Sequence, residues 1–201
     1  MPARERPIPD IGGDRMTGRT TPPDAAPPHD HETGLRTEEL DHAGQFLLWG
    51  MRAWLLAFRQ VSRPGSQDRP NAYRGIAGEG FLRAGVPQAM ELIDDIFSAL
   101  AAAALREIDM RCPRCAYVSP DEALLLGAVA ASQRKQHGIS WSALTQLLPP
   151  AAARAALPSL ISLAVLMRDA ELTLQPLDAD KCGAPDLRIA LAQAAAIAPV
   201  H

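Results

Sequence analysis

The feature that most constrains this chain is a helix start at Ser119. A serine side chain there can accept from the free N–H groups of a first helical turn. Pro120 suits the first helical position, where a missing N–H is no loss. Glu122, three residues after Ser119, completes a capping box. Asp121 and Glu122 both favour the positive end of a helix dipole. Leu124, Leu125, Ala128 and Val129 follow at helical spacing. Gln133, Arg134, Lys135 and Gln136 then put cations at the negative end, and Gly138 stands just beyond. These cues predict a helix over 120–136.

Immediately before it the chain reads Cys112-Pro113-Arg114-Cys115. Two such pairs would be a strong zinc signal. Here there is one pair, with Cys182 far downstream. A metal site built on Cys112, Cys115 and Cys182 needs a fourth ligand, with His137 and His201 as candidates, and zinc as the metal. The turn lacks a glycine after Cys115, where a zinc knuckle often has one. A redox reading needs the attacking cysteine at a helix N-terminus, which lowers its pKa. Cys115 instead precedes the N-cap by four residues, and no βαβ pattern surrounds it. Three readings therefore stand: two half-buried thiols in a tight turn, a structural metal, and thiol chemistry. The first is favoured because a lone pair at this spacing is common without function.

The composition is that of a globular protein, with 47% hydrophobic and 21% charged residues. Aromatics are only 4%, so aliphatic residues and alanine must build the core. A net charge of −3 argues against a broad nucleic-acid-binding surface. Three cysteines form no disulfide framework and suit a reducing compartment. The N-terminus shows no apolar core of a secretory signal, so the expected location is cytoplasmic. The most apolar run, Phe46 to Phe58, contains Arg52 and is shorter than the ~20 residues of a membrane span.

Residues 1–35 read as a disordered tail, rich in proline and charge and without a periodic apolar face. His29 and His31 flank Asp30 there and read as solvated, and Met16 is an alternative start to Met1. Residues 36–201 read as one helical domain. A first helix is expected over 37–61, with Leu40, Leu47, Met51, Trp54, Leu55, Phe58 and Val61 on one face. Leu48 and Trp49 widen that face, which implies a central helix or a partner interface. Arg52 and Arg59 are placed on its wet edge. Residues 62–85, with Gly75, Gly78, Gly80 and Gly85, read as a long flexible connection bearing Arg63, Arg69, Arg74 and Arg83, with an anion- or partner-binding loop as the alternative. A further helix is expected from Pro87 to about Ile108. Its apolar face runs through Ala89, Ile93, Ile96, Phe97 and Leu100 to Ala104 and Ile108, and the alanines at 101–104 are read as a site of close helix approach. Glu91, Asp94 and Asp95 read as its solvated face.

Beyond helix 120–136, Ser140 is expected to cap a short helix over 141–148. Pro150 can open the next helix, and Pro158 is expected to kink or break it. Helical pattern resumes over 159–170. Leu172-Thr173-Leu174 alternates like a short strand, 178–185 is a loop containing Cys182, and Asp186 can cap a last helix over 187–197. The order helix, short helix, turn, long helix and extended segment over 119–177 resembles a winged helix-turn-helix in outline. Charges over 121–174 cancel: Arg134, Lys135, Arg154 and Arg168 against Asp121, Glu122, Asp169 and Glu171. The segment PPAAARAALPSL offers one arginine and no Asn or Gln for base edges. DNA binding is thereby disfavoured, since phosphate contacts supply much of its affinity.

The expected class is mainly α: a compact multi-helix domain with a winged-helix-like C-terminal half and a disordered N-terminal tail. No nucleophile elbow or His-Glu-x-x-His pair points to an enzyme. The expected function is a non-enzymatic adaptor or regulator working through a protein partner or a second copy. A zinc- or thiol-dependent factor using Cys112, Cys115 and Cys182 is the alternative, and a transcriptional regulator the third.

Overall fold

A computed structural model describes residues 34–61 and 72–178, with isolated positions at 181, 188, 189 and 192. The described residues form a mainly helical domain with no strand. A single 3-10 turn, Thr37–Glu39, precedes six helices. These are α1 (His42–Val61), α2 (Ala72–Arg83), α3 (Ala89–Ala103), α4 (Pro120–Gln133), α5 (His137–Leu147) and α6 (Pro150–Asp169). Helix α3 packs along α6, α4 packs on α5 and α6, and α1 lies against α2, α3 and α4.

The capping box is formed as the sequence implies. Ser119 Oγ accepts from Glu122 N–H at 3.1 Å, and Glu122 Oε2 accepts from Ser119 N–H at 2.9 Å. Helix α4 is buried along almost its whole length, from Asp121 to Gln133. It ends at Gln133 rather than 136, because Lys135 takes a left-handed conformation (φ 61°). Gln136 N–H then reaches back to Ala131 O, closing a Schellman turn with lysine where glycine is usual. His137 consequently opens α5.

The first helix is shorter than the pattern 37–61 suggests. Asp41 Oδ1 accepts from Gly44 N–H at 2.6 Å and caps α1, which separates it from the 3-10 turn. Leu47, Leu48, Met51, Ala53, Trp54 and Ala57 are all buried, so the wide apolar sector belongs to a central helix. Arg59 is exposed as expected, but Arg52 is 1% exposed. It lies four residues after Leu48 and three before Leu55, on the apolar side.

The segment read as a pliable connection contains helix α2. One of its glycines, Gly80, serves close approach to α1, while Gly75 and Gly78 meet nothing within 4 Å. A Cβ on Gly50 of α1 would sit 2.5 Å from the Phe81 ring, and one on Gly80 of α2 would sit 2.8 Å from Trp49. Each helix thus offers a bare backbone to the other's aromatic ring. Phe46 and Phe81 meet edge-on at 4.8 Å in the same seam. Gly85 (φ 77°) ends α2, with Val86 N–H on Phe81 O and Gly85 N–H on Leu82 O in a Schellman motif.

Helix α3 stops at Ala103, short of Ile108, and Leu105 N–H bonds instead to Leu147 O. Ala89, Ile93, Ile96, Phe97 and Leu100 are buried as expected, but Ala101 and Ala102 are exposed, so close packing runs through the earlier part of α3. Ser140 does not cap α5. It is buried within it and donates to Ala128 O at 2.8 Å, with Ser132 Oγ 2.7 Å away. Pro158 does not interrupt α6, which runs unbroken through it. Pro158 and Arg154 are both exposed, so the hydrogen bond that Pro158 cannot donate to the Arg154 carbonyl is lost on the solvent side of α6, where its cost is smallest. Among the described residues α6 is the one helix long and apolar enough, by length and composition alone, to cross a membrane, and about a third of it is buried. Its inner side, including Leu160, Leu163, Ala164 and Met167, is core.

Leu172–Leu174 is extended but joins no strand among the described residues. It lies along the Gln133 amide, which donates to Leu172 O and accepts from Leu174 N–H, each at 2.8 Å. No wing is formed by the described residues. Leu35 is buried, and Val118 N–H bonds to its carbonyl. Cys182, Asp186, most of 187–197, His29, His31 and His201 lie outside the described residues.

Gly50→Ala is expected to lower the unfolding free energy by about 1–3 kcal/mol, the usual effect of overpacking a rigid seam. Gly75→Ala, whose methyl would meet nothing within 4 Å, is expected to raise it by about 0.5–1 kcal/mol. Urea unfolding followed by circular dichroism reads both.

Candidate functional site: the link between α3 and α4

Residues 104–119 contain no helix, yet they are held firmly. Two acids at the start of α4 do most of this. Asp121 takes both arms of Arg106 at 2.6 and 2.7 Å, and Asp109 N–H at 2.7 Å. Glu122 is wholly buried and accepts four hydrogen bonds. Arg52 Nε and Arg111 N–H reach Oε1 at 2.8 and 2.9 Å, while Arg52 Nη2 and Ser119 N–H reach Oε2 at 2.8 and 2.9 Å. All four acceptor positions of the carboxylate are thereby used.

Arg52 carries the contact outward. Its Nη1 donates to Cys115 O at 2.9 Å and its Nη2 to Tyr117 O at 2.8 Å. Thr37 adds a second clamp through Oγ1 to Cys115 O at 3.3 Å and its N–H to Ala116 O at 2.7 Å. Arg36 and Tyr117 form an isolated antiparallel bridge beside it, with the Arg36 guanidinium over the Tyr117 ring. One buried ion pair thus joins α1, α4 and the backbone around the cysteines. The sequence signal was present: a single arginine on the apolar face of the first helix, in a chain with a capping glutamate.

Cys112 and Cys115 come together in a β-turn closed by Cys115 N–H on Cys112 O at 3.0 Å. Cys112 is exposed and Cys115 half-buried, and neither is in a disulfide. Among the described residues no three His, Cys, Asp or Glu side chains gather as a metal site, so His137 does not join the pair. Cys182 and His201, the remaining ligands of the zinc expectation, lie outside the described residues.

The earlier part of the link, up to Met110, borders an apolar groove of about 270 Å³ between the C-terminal ends of α1 and α3. Trp54, Phe58, Phe97, Leu100, Ile108 and Met110 line it, with Arg106 and Glu107 as its charged residues. Trp54 is the fixed wall: it stacks on Phe58 with centroids 5.1 Å apart, and its Nε1 donates to Asp94 at 2.7 Å. Phe58 remains 44% exposed. The acidic cluster on α3 is partly consumed in this way. Asp94 also meets Arg74 at 3.1 Å, Asp95 accepts from Ser159 at 3.0 Å, and Glu91 is exposed.

No family model, curated protein or solved structure matches the chain.

Partial burial works to raise the Asp94 pKa. The hydrogen bonds from Trp54 and Arg74, together with the Arg74 charge, outweigh it and hold this carboxyl below its ordinary value. A carboxyl with a lower pKa folded than unfolded adds stability above its unfolded pKa, and loses that increment as pH falls through the folded one. The stability difference between wild type and Asp94→Asn is therefore expected to be larger near pH 7 than near pH 3. Urea titrations at the two pH values measure it; a difference that grows in acid would contradict the assignment.

Proposed function

We propose that the protein is a non-enzymatic interaction module whose groove beside Phe58 receives the apolar side chains of a partner protein's amphipathic helix. The observation that carries this reading is an apolar, aromatic-walled groove that the described residues leave open at the end of the central helix. At about 270 Å³ it falls below the roughly 300–1,000 Å³ of pockets that enclose a small-molecule ligand. It suits an inserted side chain better than a whole cofactor, in the manner of helix-in-groove recognition. A stable two-fold dimer buries about 800 Å² on each side. Among the described residues near the groove only Phe58 and Leu105 are large apolar side chains with strong exposure, which favours one inserted helix over a second copy.

The wide apolar sector of the first helix does not itself support a partner, because α2, α3 and α4 cover it. What supports one is the end that the other described residues leave partly exposed, where Leu55 is half-buried and Phe58 is 44% exposed.

Replacing Phe58 with the photo-crosslinking residue p-benzoylphenylalanine tests this in cells. The expected product is a covalent adduct with another protein, mapped to an amphipathic helix, while the same group at Leu82, exposed on α2, gives none. An adduct with a second copy of this chain, or no adduct above background, would overturn the reading.

A further inference from the structure

We propose that Cys112 and Cys115 form a thiol–disulfide exchange site that reacts with low-molecular-weight disulfides of the glutathione class. The argument is geometric. A hydrogen-bonded β-turn holds its first and fourth Cα atoms within about 7 Å. A disulfide spans roughly 4.4–6.8 Å between Cα atoms. The Cys112–Cys115 turn, closed by its 3.0 Å hydrogen bond, therefore holds its cysteines within a range that overlaps what the bond requires. Pro113 occupies the second position of the turn, where its fixed φ is favourable.

The turn is also anchored independently of the thiols. Arg52 and Thr37 hold the Cys115 carbonyl from two different elements. Closing a disulfide then asks for side-chain rotation and leaves the backbone in place. The unequal exposure of the two cysteines assigns them different parts. The Cys112 thiolate, open to solvent, attacks one sulfur of the external disulfide and expels one thiolate, giving a mixed disulfide. The Cys115 thiolate then attacks Cys112 Sγ and expels the second. Two protein thiols are oxidised to one disulfide, the external disulfide is reduced to two thiols, and the two protons pass to the departing thiolates. In a reducing compartment such bonds are transient and serve redox sensing or catalysis.

The test uses the full chain carrying Cys182→Ser, reduced, freed of metal with a chelator, and equilibrated in glutathione buffers of rising oxidised fraction. Acid quenching, alkylation and peptide mass analysis then report the state of both cysteines. The expected product is an internal disulfide in which both alkylation sites vanish together with the loss of two hydrogens. Because the folded turn preorganises the pair, the equilibrium constant for that bond should fall by about tenfold or more in concentrated urea. Persistence of both free thiols in the most oxidising buffer would overturn the proposal. So would two separate glutathione adducts, or an equal constant in the folded and urea-unfolded chain.

Discussion

A charged pair in a helical interior is expensive to assemble, and this fold is arranged around one. Arg52 and Glu122 retain 2% and 0% side-chain exposure. Taking two ions out of water costs several kcal/mol each, and their attraction repays this only when geometry and further hydrogen bonds are good. Here they are. The carboxylate accepts four bonds and the guanidinium gives four, from Arg52 to Glu122 twice and to the carbonyls of Cys115 and Tyr117. Such a pair is not a large source of net stability. Its effect is to penalise any arrangement in which α1, α4 and the 104–119 link are not in register, since a single displaced partner leaves a buried charge unpaired.

From that constraint the rest follows in layers. Glu122 also completes the capping box, so the residue that starts α4 is the one that receives α1. Asp121, its neighbour, gathers Arg106 and the backbone at Asp109. The link between α3 and α4 is thereby held without secondary structure of its own. The groove beside Phe58 and the Cys112–Cys115 turn are both built on that link. A proposed partner site and a proposed thiol site thus share one scaffold, whose rigidity comes from two adjacent acids.

The sequence made some of this visible. The start of α4 was legible because capping box, proline and acids agree at one place, and the mainly helical class followed from apolar spacing. Arg52 was misplaced because periodicity averages over a face, and one charge among leucines reads as an edge residue until its partner is known. That partner stands 70 positions away, a separation no local pattern spans. Helix α2 was hidden because its glycines weaken helical propensity; the use of one of them, Gly80, appears only where α1 crosses, at Trp49. Pro158 was expected to interrupt α6, yet on a solvent-facing turn a lost hydrogen bond is replaced by water. The exposed α3 alanines show the converse: small side chains permit close packing without compelling it. The two cysteines were legible as a turn, but their anchoring through Arg52 and Thr37 was not.

A double-mutant cycle on Arg52→Met and Glu122→Gln, measured by urea unfolding, tests the central ion pair most directly. Each single change should cost about 3–5 kcal/mol by leaving a buried partner unsatisfied, and the double mutant should cost less than their sum by about 2 kcal/mol or more. Additivity within ~0.5 kcal/mol would show that the two side chains act independently and would contradict the account.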